Sequence, residues 1–372
     1  MCGPLSGLMV LDFSTLLPGP LATLMLVEAG AEVIKIERPD IGEDMRSTER
    51  IWDGESLAFA MLNRGKKSLA LDLKSNEAAA VLAPLIAKAD IIVEQFRPGV
   101  MERLGLGYEA IKRKNPSIIY CSITGYGQVG PKSQMAGHDL NYMGDSGVLS
   151  TSIGPTDQPV VPPALVADVG GGTYPAVVNI LLALRERDKT GKGCHLDIAM
   201  SDGAFAFSFW AFAKGTALRT PIENNGEWLT GGTARYQLYP TADGRHVAVG
   251  ALEQKFWDRF CKAINLEKDL CNDSIDPAKT IAAVGKILKM RSADEWEPVL
   301  VKADCCCTIV RTMDEVLDDT HFNARGIFDW KVQGVQGAIA PALPIPVAPL
   351  FRGSPDILVS APCLGSDDDQ LK

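Results

Sequence analysis

The chain has 372 residues, of which 46% are hydrophobic and 22% are charged, and its formal net charge is −9. This composition is typical of a globular protein and argues against a disordered chain, a coiled coil or a fibre. The charges are spread along the sequence, which disfavours nucleic acid or an anionic membrane as the main partner.

In the amino-terminal third of the chain, predicted strands alternate with predicted helices. Apolar runs that predict buried strands lie at 8–13, 32–36, 68–73, 90–94 and 117–123. Helical patterns lie at 21–28, 75–88 and 108–114, with Ser75 as the expected N-cap of the second. The alternation predicts an α/β fold in which a parallel sheet is covered on both faces.

A loop-rich stretch at 219–233, which contains Pro221 and the run Asn224, Asn225 and Gly226, marks a domain boundary. Two domains also suit a chain of this length. Predicted strands at 236–239 and 246–249 follow the boundary, and a predicted helix follows at 256–264. We therefore expect a large domain at 1–220, completed by 325–372, and a small domain at 228–320.

Several common kinds of site are disfavoured. The turn after the first strand reads STLLPGP rather than GxGxxG, which disfavours nicotinamide or flavin binding. The nine cysteines form no CxxC pair and the four histidines do not join them at zinc spacing, so no metal site is expected. Asp12 interrupts the apolar amino terminus, and the apolar runs are too short to span a bilayer, so a cytoplasmic protein is expected.

Asp168 is the strongest candidate for catalysis, because it lies just before three glycines at 170–172 in an apolar helical stretch at 164–184. A carboxylate at a glycine-lined helix start can act as a proton carrier or a nucleophile. His138, Asp139 and Glu253 add a base and further carboxylates. The same residues also fit structural roles, as turn residues, helix caps or surface charges.

Eight short segments that are characteristic of one protein family are distributed along nearly the whole chain. They read LPGP at 17–20, EVIKIERP at 32–39, NRGKKS at 63–68, RPGV at 97–100, GHDLNY at 137–142, TGKG at 190–193, YPTADGR at 239–245 and VGALE at 249–253. Together with Asp168, these segments resemble the class III CoA-transferase superfamily of the CaiB/BaiF type. Within it, His138 and Glu253 are most similar to the pattern of the α-methylacyl-CoA racemases.

The resemblance implies a Rossmann-like large domain, a smaller α+β domain and an interlocked homodimer. Each active site would lie between the large domain of one chain and the small domain of the other. Glu253 would thus approach His138 and Asp168 across an interface. The implied substrate is an acyl-CoA thioester, and the reaction would need neither metal nor redox cofactor because CoA is part of the substrate.

Basic side chains in the matching segments are expected to bind the phosphates and adenine of CoA. These residues are Arg38, Arg64, Lys67 and Arg97. Solvated surface charges are the alternative for each of them. Arg38 follows a predicted strand, where open α/β sheets usually bind ligands.

A hydrogen next to a thioester carbonyl can be removed because the charge moves onto the oxygen as an enolate, and inversion then needs two proton carriers on opposite faces. His138 suits one face, oriented by Glu253, and Asp168 suits the other. Backbone N–H groups near Asp139 would stabilise the enolate oxygen. An ordinary Asp has a pKa of about 3.9, so we expect the pKa of Asp168 to be raised by partial desolvation or a shared proton.

The expected function is racemisation of 2-methylacyl-CoA thioesters. One alternative is a CoA-transferase in which Asp168 attacks the thioester and carries the acyl group as a mixed anhydride. Another is a CoA-ester binding protein without catalytic activity.

Overall fold

The computed structural model describes residues 3–48, 50–151, 154 and 160–372. Within these residues, the largest sheet has six parallel strands: β1 (Met9–Phe13), β2 (Glu32–Glu37), β3 (Lys67–Ala70), β4 (Ile91–Glu94), β5 (Ile119–Thr124) and β6 (Cys194–Ala199). They pair in the order β3-β2-β1-β4-β5-β6. The predicted α/β class with a large parallel sheet is confirmed.

The inner strands are largely buried on both faces, as expected for parallel strands covered by helices. Leu11, Ile34 and Ile119 are fully buried. The helices of this part of the chain lie at Pro18–Glu28, Leu57–Asn63, Ala78–Lys88, Val100–Arg103 and Tyr108–Lys114. A two-stranded ladder pairs Ile51–Trp52 with Glu55–Ser56.

The prediction of Ser75 as an N-cap is wrong. The helix begins at Ala78 and its N-cap residue is Glu77, whose side chain makes no capping hydrogen bond. The carbonyl of Ser75 accepts the N–H of Ala78 at 3.3 Å, so a turn precedes the helix.

Strand β6 lies outside the predicted elements. It is an edge strand, and its first four residues are partly or fully exposed. His195 and Asp197 occupy the exposed positions. The segment therefore lacks the continuous apolar run that marks the inner strands.

Residues 166–190 form a continuous helical segment, with π-helical turns at Val166–Thr173 and an α-helix at Tyr174–Thr190. It is 25 residues long and contains an 18-residue window with a mean hydropathy of 1.2, which would be enough to cross a membrane and differs from the expectation that every apolar run is too short. A single helix of this kind is weak evidence of a membrane span, because the core helix of a globular protein has the same properties. This helix packs against the helix Pro18–Glu28 and against β5 and β6.

Residue contacts divide the chain into two compact units. The first contains Met1–Ser146, Ala164–Phe205 and Thr320–Lys372, and the second contains Gly147–Pro163 and Ala206–Asp319. The predicted large domain covers 1–220 and 325–372, whereas 147–163 and 206–220 fall in the second unit.

The first unit also contains a small sheet of β10 (Lys331–Gln333), β11 (Ile339–Pro341) and β12 (Val359–Ser360). Strand β10 pairs with β11 in antiparallel and with β12 in parallel orientation. The unit's remaining helices lie at Asp139–Asp145, Met200–Ala204, Thr320–Ala324 and Asp368–Leu371.

The second unit is built on an antiparallel sheet of β7 (Tyr236–Pro240), β8 (His246–Gly250) and β9 (Cys307–Ile309), in which β8 is central. Its helices lie at Phe209–Ala213, Gln254–Ala263, Pro277–Leu288, Ala293–Ala303 and Met313–Leu317. Trp257, Phe260 and Trp296 are buried in one core with Cys305 and Cys307. These two cysteines therefore act as small apolar core residues.

Candidate active site

The candidate site lies where the strand order of the large sheet reverses, between β1 and β4. Open α/β sheets bind ligands at such a point, beyond the carboxyl ends of the strands. A cavity of about 440 Å³ occupies this position. Its walls include Thr15 and Leu16, which follow β1, and Gln95, Phe96 and Arg97, which follow β4.

Two predicted catalytic side chains, His138 and Asp168, line this same cavity. Asp168 lies in the π-helical turns at Val166–Thr173. Such irregular helical turns are frequent at functional sites, because they displace side chains from the regular helical positions. His138 comes from a different part of the chain, immediately before the helix Asp139–Asp145. The fold therefore brings together a carboxylate and an imidazole that are 30 positions apart.

Asp139 holds the Asp168 segment in place. Its Oδ1 atom accepts hydrogen bonds from the backbone N–H of Ala167 at 2.7 Å and of Asp168 at 2.9 Å. Asp139 is only 6% exposed, so these bonds are shielded from water. The sequence suggested Asp139 as a helix-start residue near an oxyanion, but the carboxylate also positions Asp168.

The environment of Asp168 favours its protonated form. Burial raises the pKa of Asp168 from 3.8 to about 6; the negative charge of Asp139 adds to the rise, and His138 opposes it. The direction is the one expected from the sequence. A carboxyl group with a pKa this close to neutrality can both accept and donate a proton.

His138 is fixed through its backbone. Its N–H donates to Oδ1 of Asn141 at 3.0 Å, and its carbonyl accepts the N–H groups of Asn141 at 2.8 Å and Tyr142 at 3.2 Å. The hydroxyl of Tyr142 donates to the carbonyl of Gly137. These contacts fix the turn that carries the imidazole and leave the side chain at the cavity wall.

The glycines after Asp168 allow close packing of backbone. A Cβ atom on Gly171 would lie 2.3 Å from the carbonyl oxygen of Met200, and one on Gly172 would lie 2.8 Å from Cγ of Met200. The hydroxyl of Thr173 donates to the carbonyl of Pro18 at 2.8 Å. The glycine run therefore packs the Asp168 turn against its neighbours, in agreement with its interpretation as part of a carboxylate site.

Arg97 and Arg38, two of the predicted CoA-binding residues, lie at adjoining cavities. Arg97 lines the 440 Å³ cavity, and Arg38 lines a second cavity of about 860 Å³. Thr15 and Phe96 contribute to both linings, so the cavities adjoin. Nε of Arg38 donates to the carbonyl of Gly42 at 3.1 Å.

Two further basic residues, Lys74 and Arg103, line the larger cavity and were not predicted. Lys74 follows β3, and Arg103 ends the short helix after β4. Both follow carboxyl ends of predicted strands, which is the signal that could have found them.

Arg64 and Lys67, the other two predicted CoA-binding residues, lie outside the linings of both cavities. The guanidinium of Arg64 is buried and already bonded to Glu28 at 2.7 Å and to the carbonyls of Met61 and Leu343. It therefore holds the protein together and has little capacity left for a phosphate. Lys67 begins β3, at the opposite end of the sheet from the cavity, and its ammonium pairs with Glu32 at 2.5 Å.

Glu253 belongs to the second unit, where it is the N-cap residue of the helix Gln254–Ala263. Its side chain makes no capping hydrogen bond there. Its approach to His138 concerns an assembled dimer and stays a prediction.

Comparison with known proteins identifies the family. The family described as CoA-transferase family III matches residues 5–368. Alpha-methylacyl-CoA racemase from Homo sapiens is 36% identical over 360 residues, covering 95% of this chain and 90% of the relative. Acetyl-CoA:oxalate CoA-transferase from Acetobacter aceti is 40% identical over 319 residues, covering 81% and 79%. The crystal structure of Rv3272 from M. tuberculosis has a TM-score of 0.83 at 28% identity, covering 100% of this chain and 99% of that one. The chain belongs to CoA-transferase family III.

Proposed function

We propose that this protein inverts the α-carbon of 2-methylacyl-CoA thioesters by proton transfer through an enolate. One observation carries the proposal: His138 and Asp168 line the same cavity, which lies where the strand order of the large sheet reverses. A raised pKa of about 6 gives Asp168 the proton affinity of an acid–base catalyst.

In the proposed reaction, one of the two side chains takes the α-proton of the bound thioester. The electron pair of the broken C–H bond moves onto the carbonyl oxygen, giving a planar enolate. The other side chain returns a proton to the opposite face, so the configuration inverts and no atom is gained or lost. Backbone N–H groups at the start of the helix Asp139–Asp145 are the expected donors to the enolate oxygen.

The CoA portion would occupy the 860 Å³ cavity, with Arg38, Lys74 and Arg103 near its phosphates and Arg97 near the thioester end. We further propose an interlocked homodimer, in which Glu253 of the partner subunit orients the imidazole of His138. This part of the proposal follows from the family resemblance.

The second candidate is transfer of CoA between carboxylic acids, which the 40% identity to acetyl-CoA:oxalate CoA-transferase favours. In that reaction a carboxylate oxygen of Asp168 attacks the thioester carbonyl and expels the CoA thiolate, leaving a mixed anhydride. The acceptor carboxylate then attacks the Asp168 carbonyl carbon of this anhydride and releases the donor as its free carboxylate. The thiolate attacks the acceptor's carbonyl carbon in the new anhydride, which gives the acceptor's CoA thioester and regenerates the Asp168 carboxylate. His138 has no required role in these steps.

The test is incubation of one enantiomer of a 2-methylacyl-CoA in D₂O together with an isotopically labelled free acid. Deuterium at the α-carbon with loss of optical purity is expected. Movement of CoA onto the labelled acid, without deuterium entry, would replace the racemase proposal by the transferase.

Two variants separate the roles further. His138→Ala should abolish inversion while one enantiomer still exchanges its α-proton at Asp168, and Asp168→Asn should leave exchange of the other enantiomer only. A transferase would lose activity in Asp168→Asn and keep it in His138→Ala. Asp188→Asn and His246→Ala are matched controls, because both residues are exposed and lie outside the cavity lining.

A further inference from the structure

Glu94 is a buried carboxyl group directly behind the cavity wall. It ends β4 and is only 4% exposed. Its Oε2 atom accepts the backbone N–H of Phe96 at 2.8 Å. Phe96 lines both cavities, so one hydrogen bond connects Glu94 to the wall that they share.

A second set of contacts joins Glu94 to the surface. Ser122, on the adjacent strand β5, lies beside Glu94 in the strand register, and its hydroxyl lowers the pKa of the Glu94 carboxyl group. Oγ of Ser122 also lies 2.9 Å from Nε2 of His195, on the exposed edge strand β6. The imidazole of His195 stacks on Tyr108, with ring centroids 5.1 Å apart. Glu94, Ser122 and His195 therefore lie on three neighbouring strands, β4, β5 and β6.

Glu94 makes no ion pair with any residue that the structure describes, although it is almost fully buried. The titratable groups that face it are acidic or neutral: Glu102, Tyr120, Cys121, His195 and Asp197. Burial raises the pKa of Glu94 to about 7, and the hydrogen bonds from Ser122 and the Phe96 N–H oppose the rise. The group therefore changes charge near neutral pH.

We propose that Glu94 is a positioning residue whose charge sets the affinity of the site for CoA. As a carboxylate it holds the Phe96 N–H by a charge-assisted hydrogen bond, which is about twice as strong as a neutral one. As a neutral acid it holds the wall at Gln95, Phe96 and Arg97 less firmly. The inference rests on the proposed function, because CoA is the ligand that this wall would contact.

The test is direct binding of dephospho-CoA to the full chain, measured by calorimetry between about pH 6 and pH 8.5. Dephospho-CoA lacks the 3′-phosphate, a group that itself titrates near pH 6. The starting protein is Asp168→Asn, which removes the titration of Asp168. Its affinity for dephospho-CoA should rise about fivefold with increasing pH. Adding Glu94→Gln should weaken binding and reduce this rise of affinity with pH.

Two neighbouring variants keep the test decisive if Glu94→Gln fails to fold. Ser122→Ala removes a donor that stabilises the carboxylate, so the midpoint of the affinity change should move to higher pH. Glu102→Gln removes a negative charge, so the midpoint should move to lower pH. A role in folding alone would not produce shifts in opposite directions.

The outcomes distinguish the inference from the proposed function. If the affinity of Asp168→Asn for dephospho-CoA is independent of pH, the proposed role of Glu94 is wrong but the proposed function stands. The same conclusion follows if the affinity depends equally on pH with and without Glu94→Gln. If no variant binds dephospho-CoA at any pH, the proposed function fails and the inference fails with it.

Discussion

Replacement of Asp139 by Asn and by Ala separates its two effects on Asp168. In Asp139→Ala, the N–H groups of Ala167 and Asp168 lose their shared acceptor. Each buried N–H without a partner costs about 1–3 kcal/mol, so we expect a loss of about 2–6 kcal/mol in the free energy of unfolding. In Asp139→Asn an amide oxygen can accept both bonds, and the loss should be about 1 kcal/mol.

The charge of Asp139 is lost in both variants. It is the second largest cause of the raised pKa of Asp168, after burial. A like charge nearby typically shifts a pKa by about one unit or more, so the pKa of Asp168 should fall from about 6 towards about 5. At pH 6 the protonated fraction of Asp168 would then drop from about one half to about one tenth.

The assay is α-proton exchange in D₂O from the enantiomer that faces Asp168, measured as a function of pH. Because Asp168 must be ionised to act as the base, exchange should rise with pH through about 6 in the parent and through about 5 in Asp139→Asn. Chemical denaturation of both variants gives the stability difference. If the two variants lose equal stability and the exchange profile stays at the parent's pH, Asp139 does not act on Asp168 as described.

Three further predictions test the site and its surroundings. The folded pKa of Asp168, about 6, exceeds its ordinary 3.8, so the folded state binds more protons in this window and loses stability as pH rises through it. Asp168→Asn should therefore melt at a higher temperature than the parent above about pH 7, and scanning calorimetry should show the difference disappear below about pH 4. Gly171→Ala should cost about 3 kcal/mol in urea unfolding because of its backbone clash, whereas Gly285→Ala, in an uncrowded helix, should stabilise by up to about 1 kcal/mol. Arg64→Met should cost about 3 kcal/mol of stability and leave CoA affinity unchanged, while Arg97→Ala should weaken CoA binding without unfolding; the reverse pattern would show that Arg64 rather than Arg97 binds CoA.

The sequence predicts those parts of the fold that depend on local pattern. Five of the six strands of the large sheet are marked by continuous apolar runs. Strand β6 is missed because an edge strand can expose residues such as His195 and Asp197. Helix starts are equally sensitive to context, since Ser75 can end a turn as readily as it can cap a helix.

At the candidate site, the sequence does not show the long-range partners of the charged groups. Arg64 and Lys67 lie in a basic segment that resembles a phosphate site, but the acceptors that saturate Arg64 are Glu28 and the carbonyl of Leu343. The latter is 279 positions away in the chain. The contact between Asp139 and the Asp168 segment is likewise non-local. The spacing of residues in the sequence does not reveal such long-range contacts. It therefore identifies a charged group without identifying its partner.

Under the proposed function, the raised pKa of Asp168 is compatible with both inversion and CoA transfer. With a pKa of about 6, roughly nine tenths of the group is ionised at pH 7, which is enough for a nucleophile to attack a thioester. The remaining tenth is protonated, which is enough for an acid to return a proton. Asp168 alone therefore does not select between transfer and inversion. The selection depends on a second proton carrier on the opposite face of the bound thioester, and His138 is the side chain at the cavity wall with the chemistry to supply it.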